Sequence, residues 1–233
     1  FFLGFQYRRA AAPQVNPPPI ASRTSRSPGL MRPSRTATSS ANGTQAADDS
    51  VLVFARNFFR NPKMVGWVMP SSRYLVTQLL RDVDWTNARV VVELGPGVGT
   101  ITREVLKRMR SDATLLAFEV NEEFVRHLGS TIDDPRLRVQ HRSGAEVLNA
   151  LQELRLGKAD YVIAGIPFSI MSDEDRMAVL RNCHEALREG GVMLVYQFSG
   201  RVRSDLETLY PRVHRVFEPR NILPAQLFHC VKA

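Results

Sequence analysis

The sequence predicts an α/β domain: a mostly parallel sheet with helices on both faces, an antiparallel C-terminal hairpin, and an amphipathic helix ahead of it. Three observations carry this. Short apolar runs alternate with helical patterns of about 10–15 residues, the rhythm of parallel strands joined by crossover helices. The first run ends in a glycine-rich loop that opens a helix. The last stretch, "HRVFEPRNILPAQLFHCVKA", reads instead as two strands joined by a turn, an antiparallel hairpin at a sheet edge.

The elements follow in order. Residues 1–47 hold six arginines and six of the 14 prolines, with many serines and threonines and no acid. Such a composition cannot bury enough apolar surface to fold and predicts a disordered tail. An Arg- and Ser-rich, acid-poor start fits a transit peptide. Because the chain begins at Phe1, it equally fits translated sequence ahead of Met31. Over residues 48–67, Val51, Phe54, Ala55, Phe58 and Phe59 recur at helical spacing with Arg56, Asn57 and Arg60 between them. Two readings stay open: a helix packed on the domain, or one lying in a membrane interface with its arginines toward lipid phosphates.

Residues 68–233 form the folded domain. Helix 72–82 precedes strand "ARVVVEL", then helix 100–110, strand "TLLAFEV", helix 121–130 and strand "LRVQHR". Helix 144–154 leads to strand "DYVIAGI", and helix 173–188 to strand "GVMLVYQF" before the hairpin.

Composition narrows the function. With 233 residues and 44% hydrophobic content the chain supports one well-packed core. No apolar run approaches the roughly 20 residues of a membrane span. Cys183 and Cys230 are distant and lack ligand spacing to any histidine, which argues against a disulfide framework or zinc site and fits a reducing compartment. His127, His141, His184, His214 and His229 show no metal-like pairing in sequence, and a packed or surface role is the simpler reading for each. The net charge of +8 favours anionic partners, whether nucleic acid or an anionic membrane surface.

The loop "VVVELGPGVGT" places Glu93, Gly95, Pro96, Gly97 and Gly99 at the end of the first strand. Glycines there allow a tight turn and leave room for a ligand against the next helix, although ordinary strand–helix turns also use them. The dinucleotide fingerprint wants a glycine where Thr100 stands. Here the third glycine comes one residue earlier and an acid precedes the loop. The second strand ends at Glu119 and Val120, 22 residues beyond Gly97, where a carboxylate can accept both hydroxyls of a ribose. A nicotinamide-dependent oxidoreductase is the competing reading.

These residues resemble the class I S-adenosylmethionine-dependent methyltransferases over essentially all of 60–233. The resemblance implies a Rossmann-like seven-stranded sheet with S-adenosyl-L-methionine across the ends of the first two strands. Glu93 through Gly99 would then hold the methionine portion and Glu119, with Val120, the ribose side. Many members carry an acid after the third strand to meet the adenine amino group. This chain has "HRSGAEV", so that contact would fall to the backbone near Gly144 and Ala145.

The fourth strand ends in "GIPFSIMS" with no acid, base or thiol. Methyl transfer is an in-line displacement on an already activated carbon, so the protein mainly holds the acceptor at near-attack distance in a water-poor pocket. Carbonyls at Gly165 and Ile166 can accept N–H bonds from an amine. Pro167 fixes the turn without adding a donor. Phe168 is expected to supply an apolar wall, and Gly165 to lie beside the cofactor as well. Tyr196, at the end of the fifth strand, is a further pocket candidate. The simpler reading is that Gly-x-Pro only ends the strand.

Adenine-N6 methyltransferases of ribosomal RNA look similar here, but carry Asn where this chain has Gly165. Three stretches resemble the bacterial phospholipid N-methyltransferases instead: "NPKMVGWVMPSSRYL", "GIPF" and "NILPAQLFHCVKA". That resemblance implies methylation of phosphatidylethanolamine and its mono- and dimethylated forms by a cytoplasmic, peripherally membrane-associated enzyme. Residues 48–67 would dock on anionic lipid. Ser72, Arg73 and Tyr74 would contact a phosphodiester, unless Ser71 and Ser72 only cap the next helix. Ribosomal RNA, or a small soluble acceptor, is the alternative substrate.

Overall fold

The computed structural model describes residues 71–233, apart from Ile222 and the side chain of Ile170. The tail expected over 1–47 and the amphipathic helix expected over 48–67 lie outside the described residues.

The elements are α1 (Arg73–Leu79), β1 (Val90–Leu94), α2 (Thr100–Arg108), β2 (Thr114–Phe118), α3 (Glu122–Thr131) and β3 (Leu137–Gln140). A 3₁₀ turn (Gly144–Glu146) leads into α4 (Val147–Glu153), then β4 (Ala159–Ala164) and a second 3₁₀ turn (Phe168–Ile170). The chain ends with α5 (Asp173–Ala186), β5 (Leu187–Gln197), α6 (Arg203–Leu209), β6 (Arg212–Glu218) and β7 (Ala225–Val231). Helix α6 is not foreseen from the sequence. It is short, and among its residues only Leu206 is buried, too weak a periodicity to register.

The seven strands run in the order β3-β2-β1-β4-β5-β7-β6. The first five are mutually parallel, and β7 enters antiparallel between β5 and the edge strand β6. The order reverses between β1 and β4, so the loops leaving their C-terminal ends diverge and open a crevice. Every residue of β1 and β4 is buried, which explains why both read as apolar runs without alternation, broken only by the buried acids Glu93 and Asp160. Each fully buried Val or Leu contributes roughly 1.5–3 kcal/mol, enough to pin these strands at the centre.

Two cores flank the sheet. On one face Val147, Leu151, Val179, Leu180, Cys183 and Leu206 bring α4, α5 and α6 against it. On the other, Leu75, Leu79, Ile101 and Val105 bring α1 and α2. Away from the crevice, Asp160 ties β4 to β1 by accepting from the Arg89 and Val90 amides at 2.8 and 3.0 Å and from Arg188 Nε at 2.6 Å.

Candidate active site

The loop after β1 is shaped by backbone conformations that L side chains resist. Gly95 and Gly97 have φ of +73° and +55°. Their surroundings differ. A Cβ on Gly95 would stand 2.8 Å from Ile166 Cγ2, whereas one on Gly97 would meet nothing within 4 Å. Gly95 therefore serves close packing against the turn after β4, and Gly97 borders open space. Pro96 is buried and its carbonyl takes the Gly99 amide at 2.9 Å; Gly99 is the N-cap of α2.

Two acids stand under this loop. Glu93 is only 2% exposed, and its Oε2 has no hydrogen-bond partner among the described residues. Burial pushes its carboxyl up to about 7; Thr102 opposes the shift and the charge of Glu119 adds to it. The Thr102 hydroxyl also has no hydrogen-bond partner among the described residues, so two buried polar groups are left unsatisfied at the base of the loop. Such orphans are costly unless a ligand completes them. Glu119 is also buried. Its Oε2 accepts from the Gly97 amide at 3.1 Å and its Oε1 from the Asn121 amide at 2.9 Å. Burial raises its pKa, and these backbone donors oppose the rise. Val120 beside it is 65% exposed, an apolar face open at the strand end, and its carbonyl lies 3.2 Å from His141 Nε2.

After β3 the backbone is more committed than the sequence suggests. The Ala145 amide donates to Ser143 Oγ at 3.2 Å and its carbonyl accepts from Asn182 Nδ2 at 2.7 Å. A Cβ on Gly144 would press on Leu94 Cδ2 at 2.9 Å, and the Gly144 carbonyl takes the Val147 amide. An adenine contact through Gly144 or Ala145 must therefore share or displace existing bonds.

The turn after β4 also departs from expectation. The Ile166 carbonyl, expected free, accepts from Gln197 Nε2 at 2.8 Å and from the Phe168 amide at 3.0 Å. Phe168 is 0% exposed and sits in the core with Ala164, Val179 and Val202. It thus supports the turn from behind and walls no open pocket, because the 3₁₀ turn that Pro167 leads into rotates it inward. Gly165 donates its amide to Leu94 O at 2.9 Å, and a Cβ on it would stand 2.6 Å from Tyr196 Cε1. Burial pushes the Tyr196 phenol up to about 12; the nearby Ser71 side chain opposes this, and Glu93 and Glu119 reinforce it.

The helix that begins at Arg73 is fixed to the same place. Ser72 Oγ caps it by accepting from the Leu75 amide at 3.2 Å, and the Ser72 amide donates to Asn221 Oδ1 at 2.8 Å. Arg73 Nη2 donates to the Tyr74 hydroxyl at 2.9 Å, while the Arg73 and Arg220 guanidinium carbons lie 4.9 and 4.6 Å from the Tyr74 ring centre. Arg220 also pairs with Glu218 at 3.0 Å.

Thus Ser71, Gly165 and Tyr196 meet, and Asn221 ties the C-terminal segment to Ser72. Sequence reasoning missed Gln197, Arg220 and Asn221. A polar residue closing the apolar run "VMLVYQ" was the available signal for Gln197; Asn221 opens the motif "NILPAQLFHCVKA", and Arg220 gave no signal. The histidines do not all stand singly. His214 and His229 are cross-strand partners with ring centres 6.4 Å apart.

Comparison with known proteins agrees with this geometry. Residues 91–191 match the family described as a methyltransferase domain. An ornithine lipid N-methyltransferase from Singulisphaera acidiphila is 28% identical over 195 residues, covering 77% of this chain and 94% of that protein. A ribosomal RNA small subunit methyltransferase A from Mycoplasmopsis synoviae is 35% identical over 83 residues, only 36% of this chain and 30% of that protein. Among solved structures, the N-methyltransferase NodS from Bradyrhizobium japonicum WM9, in complex with S-adenosyl-L-homocysteine, shares the fold. Its TM-score is 0.57 at 13% identity, over 80% of this chain and 98% of that one. Residues 91–191 thus match a methyltransferase domain, and the strand order with the loop that ends β1 gives the chain the fold of the class I S-adenosylmethionine-dependent methyltransferases.

Proposed function

We propose that this protein methylates the amine nitrogen of a membrane lipid, with phosphatidylethanolamine and its partly methylated forms as the acceptor. The observation that carries the reading is the meeting of Ser71, Gly165 and Tyr196 at one point, with Asn221 holding the C-terminal segment beside it. Ser71, Gly165 and Asn221 come one from each of the three stretches that resemble lipid N-methyltransferases, and Tyr196 comes from the end of β5. The similarity to the ornithine lipid N-methyltransferase supports an amine lipid as the class.

S-adenosylmethionine supplies an activated methyl group when bound. The residues present fit it. The unpartnered Glu93 Oε2 suits the amino group of its methionine portion, the open side of Gly97 leaves room along the loop of Gly95, Pro96 and Gly99, and Glu119 suits the ribose hydroxyls. Val120 offers an apolar face to the adenine, beside Gly144 and Ala145. Gly165, Ile166 and Pro167 border the acceptor with Tyr196. Arg73 and Arg220, gathered on Tyr74, suit an anionic group a few bonds from the amine. Phosphatidylethanolamine carries a phosphodiester there and an ornithine lipid a carboxylate. Residues 48–67 attach the domain reversibly to anionic membrane.

Ribosomal RNA is the weaker reading, because Gly165 carries no side-chain amide to hold a base and the matching relative is covered over 30% of its length. The test is transfer of labelled methyl to vesicles of phosphatidylethanolamine, to vesicles of ornithine lipid, and to ribosomal RNA. Label in phosphatidylethanolamine is the expected result. Label in ornithine lipid alone corrects the acceptor, and label in RNA alone overturns the reading.

A further inference from the structure

The turn after β4 and the end of β5 form one packed unit. Tyr196 lies so close over Gly165 that a Cβ at 165 would overlap its hydroxyl and stand 2.6 and 2.7 Å from Cε1 and Cζ. Real Cβ contacts do not approach so closely, so the tyrosine ring occupies the volume that any side chain at 165 would fill. The backbone that carries the ring is held in place: Gln197, the next residue, donates from Nε2 to Ile166 O at 2.8 Å and to Tyr196 O at 2.7 Å, and Tyr196 itself pairs with Leu227 of β7. Gly165 is fixed from below by its amide bond to Leu94 O at 2.9 Å.

We propose that Tyr196 is the specificity-determining residue of the acceptor site: its ring replaces a side chain at 165 and leaves no space for a planar base, and its hydroxyl positions an aliphatic amine. This rests on the lipid-amine reading above. The Tyr196 hydroxyl oxygen accepts an N–H bond from the amine. The proton that the nitrogen loses on methylation passes to solvent water, and Tyr196 only positions the nitrogen. The pairing also gives Gly165 a steric reason: with this tyrosine present, only glycine fits.

The experiment is a two-by-two cycle of Gly165→Asn and Tyr196→Ala, with Tyr196→Phe beside it, read by methyl transfer to phosphatidylethanolamine vesicles and to an adenine-containing RNA. S-adenosylhomocysteine affinity and melting temperature are measured for each variant. Tyr196→Phe keeps the ring and loses one hydrogen bond; it should raise the lipid KM about tenfold, more than it lowers kcat, and leave S-adenosylhomocysteine affinity unchanged. Gly165→Asn should lower both melting temperature and lipid transfer in the presence of Tyr196, and cost far less in the Tyr196→Ala background. Additive effects in the cycle, or an unchanged lipid KM in Tyr196→Phe, overturn the inference while the lipid reading stands. Label in RNA but not lipid from the unaltered protein overturns the lipid reading and this inference with it; label in neither moves the lipid assay to ornithine-lipid vesicles, and no label there overturns both.

Discussion

The amide of Gly97 donates to Glu119 Oε2 at 3.1 Å, so the acid that ends the second strand holds the loop that ends the first. A hydrogen bond to a charged group is worth about 1.5–3 kcal/mol. Glu119→Ala should therefore lower S-adenosylhomocysteine affinity by roughly 10- to 100-fold, since it loses both the loop tie and a ligand acceptor. Isothermal calorimetry measures this directly, and unchanged affinity would remove Glu119 from the site.

Gly95 and Gly97 should fail differently. Both pay about 1–2 kcal/mol for an L side chain at positive φ. Gly97→Ala adds no collision within the protein, but its methyl enters the open space at the loop. It should lose cofactor affinity with only modest loss of stability. Gly95→Ala also drives its methyl into Ile166 Cγ2 and should melt several degrees lower. Equal melting temperatures for the two variants would contradict the packing at Gly95.

Glu93 gives the protein a pH signature. Its carboxyl titrates near 4.5 when unfolded and near 7 when folded. The native state therefore binds the proton more tightly than the unfolded chain. The stability this contributes is present in full below about 4.5, declines as pH rises toward 7, and is absent above. Glu93→Gln should flatten that decline and leave the ligand-free protein about 3 kcal/mol more stable at pH 8. Cofactor affinity should run the other way, rising with pH through about 7, because a cationic ligand group needs the ionised carboxylate. Urea unfolding and calorimetry between pH 5 and 8 test both signs.

Arg73 and Arg220 should act on the lipid and not on the cofactor. Removing either guanidinium from Tyr74 is expected to raise the lipid KM several-fold, the more so at low salt, since exposed charges are screened over about 8–10 Å in physiological buffer. Arg220→Ala also releases Glu218, so Arg220→Ala with Glu218→Gln separates lost attraction from gained repulsion. An unchanged lipid KM in both arginine variants would return this cluster to a purely structural role.

Residues 48–67 supply a separate test of membrane attachment. Phe58→Glu with Phe59→Glu places two charges on the apolar face read from the sequence. The variant is expected to stop floating with anionic liposomes while retaining cofactor affinity. Flotation that survives the change would show that this segment packs elsewhere.

What the sequence determined by itself follows from local and periodic physics. The alternation of apolar runs and amphipathic patterns specified five parallel strands, and "EPRNILPA" marked the reversal into an antiparallel hairpin. Glu93, the glycine loop and Glu119 were legible because a tight turn between a strand and a helix needs residues that tolerate positive φ. Tertiary structure decided the rest, because the deciding distances join residues far apart in the chain. That Phe168 turns inward depends on the 3₁₀ turn and the core it meets. That the Ile166 carbonyl is occupied depends on Gln197, 31 residues later. Gly165 read as a missing amide; only the packing of β5 beside β4 reveals that Tyr196 fills its place. Steric exclusion between strands is set by register and twist, and no single stretch of sequence encodes either.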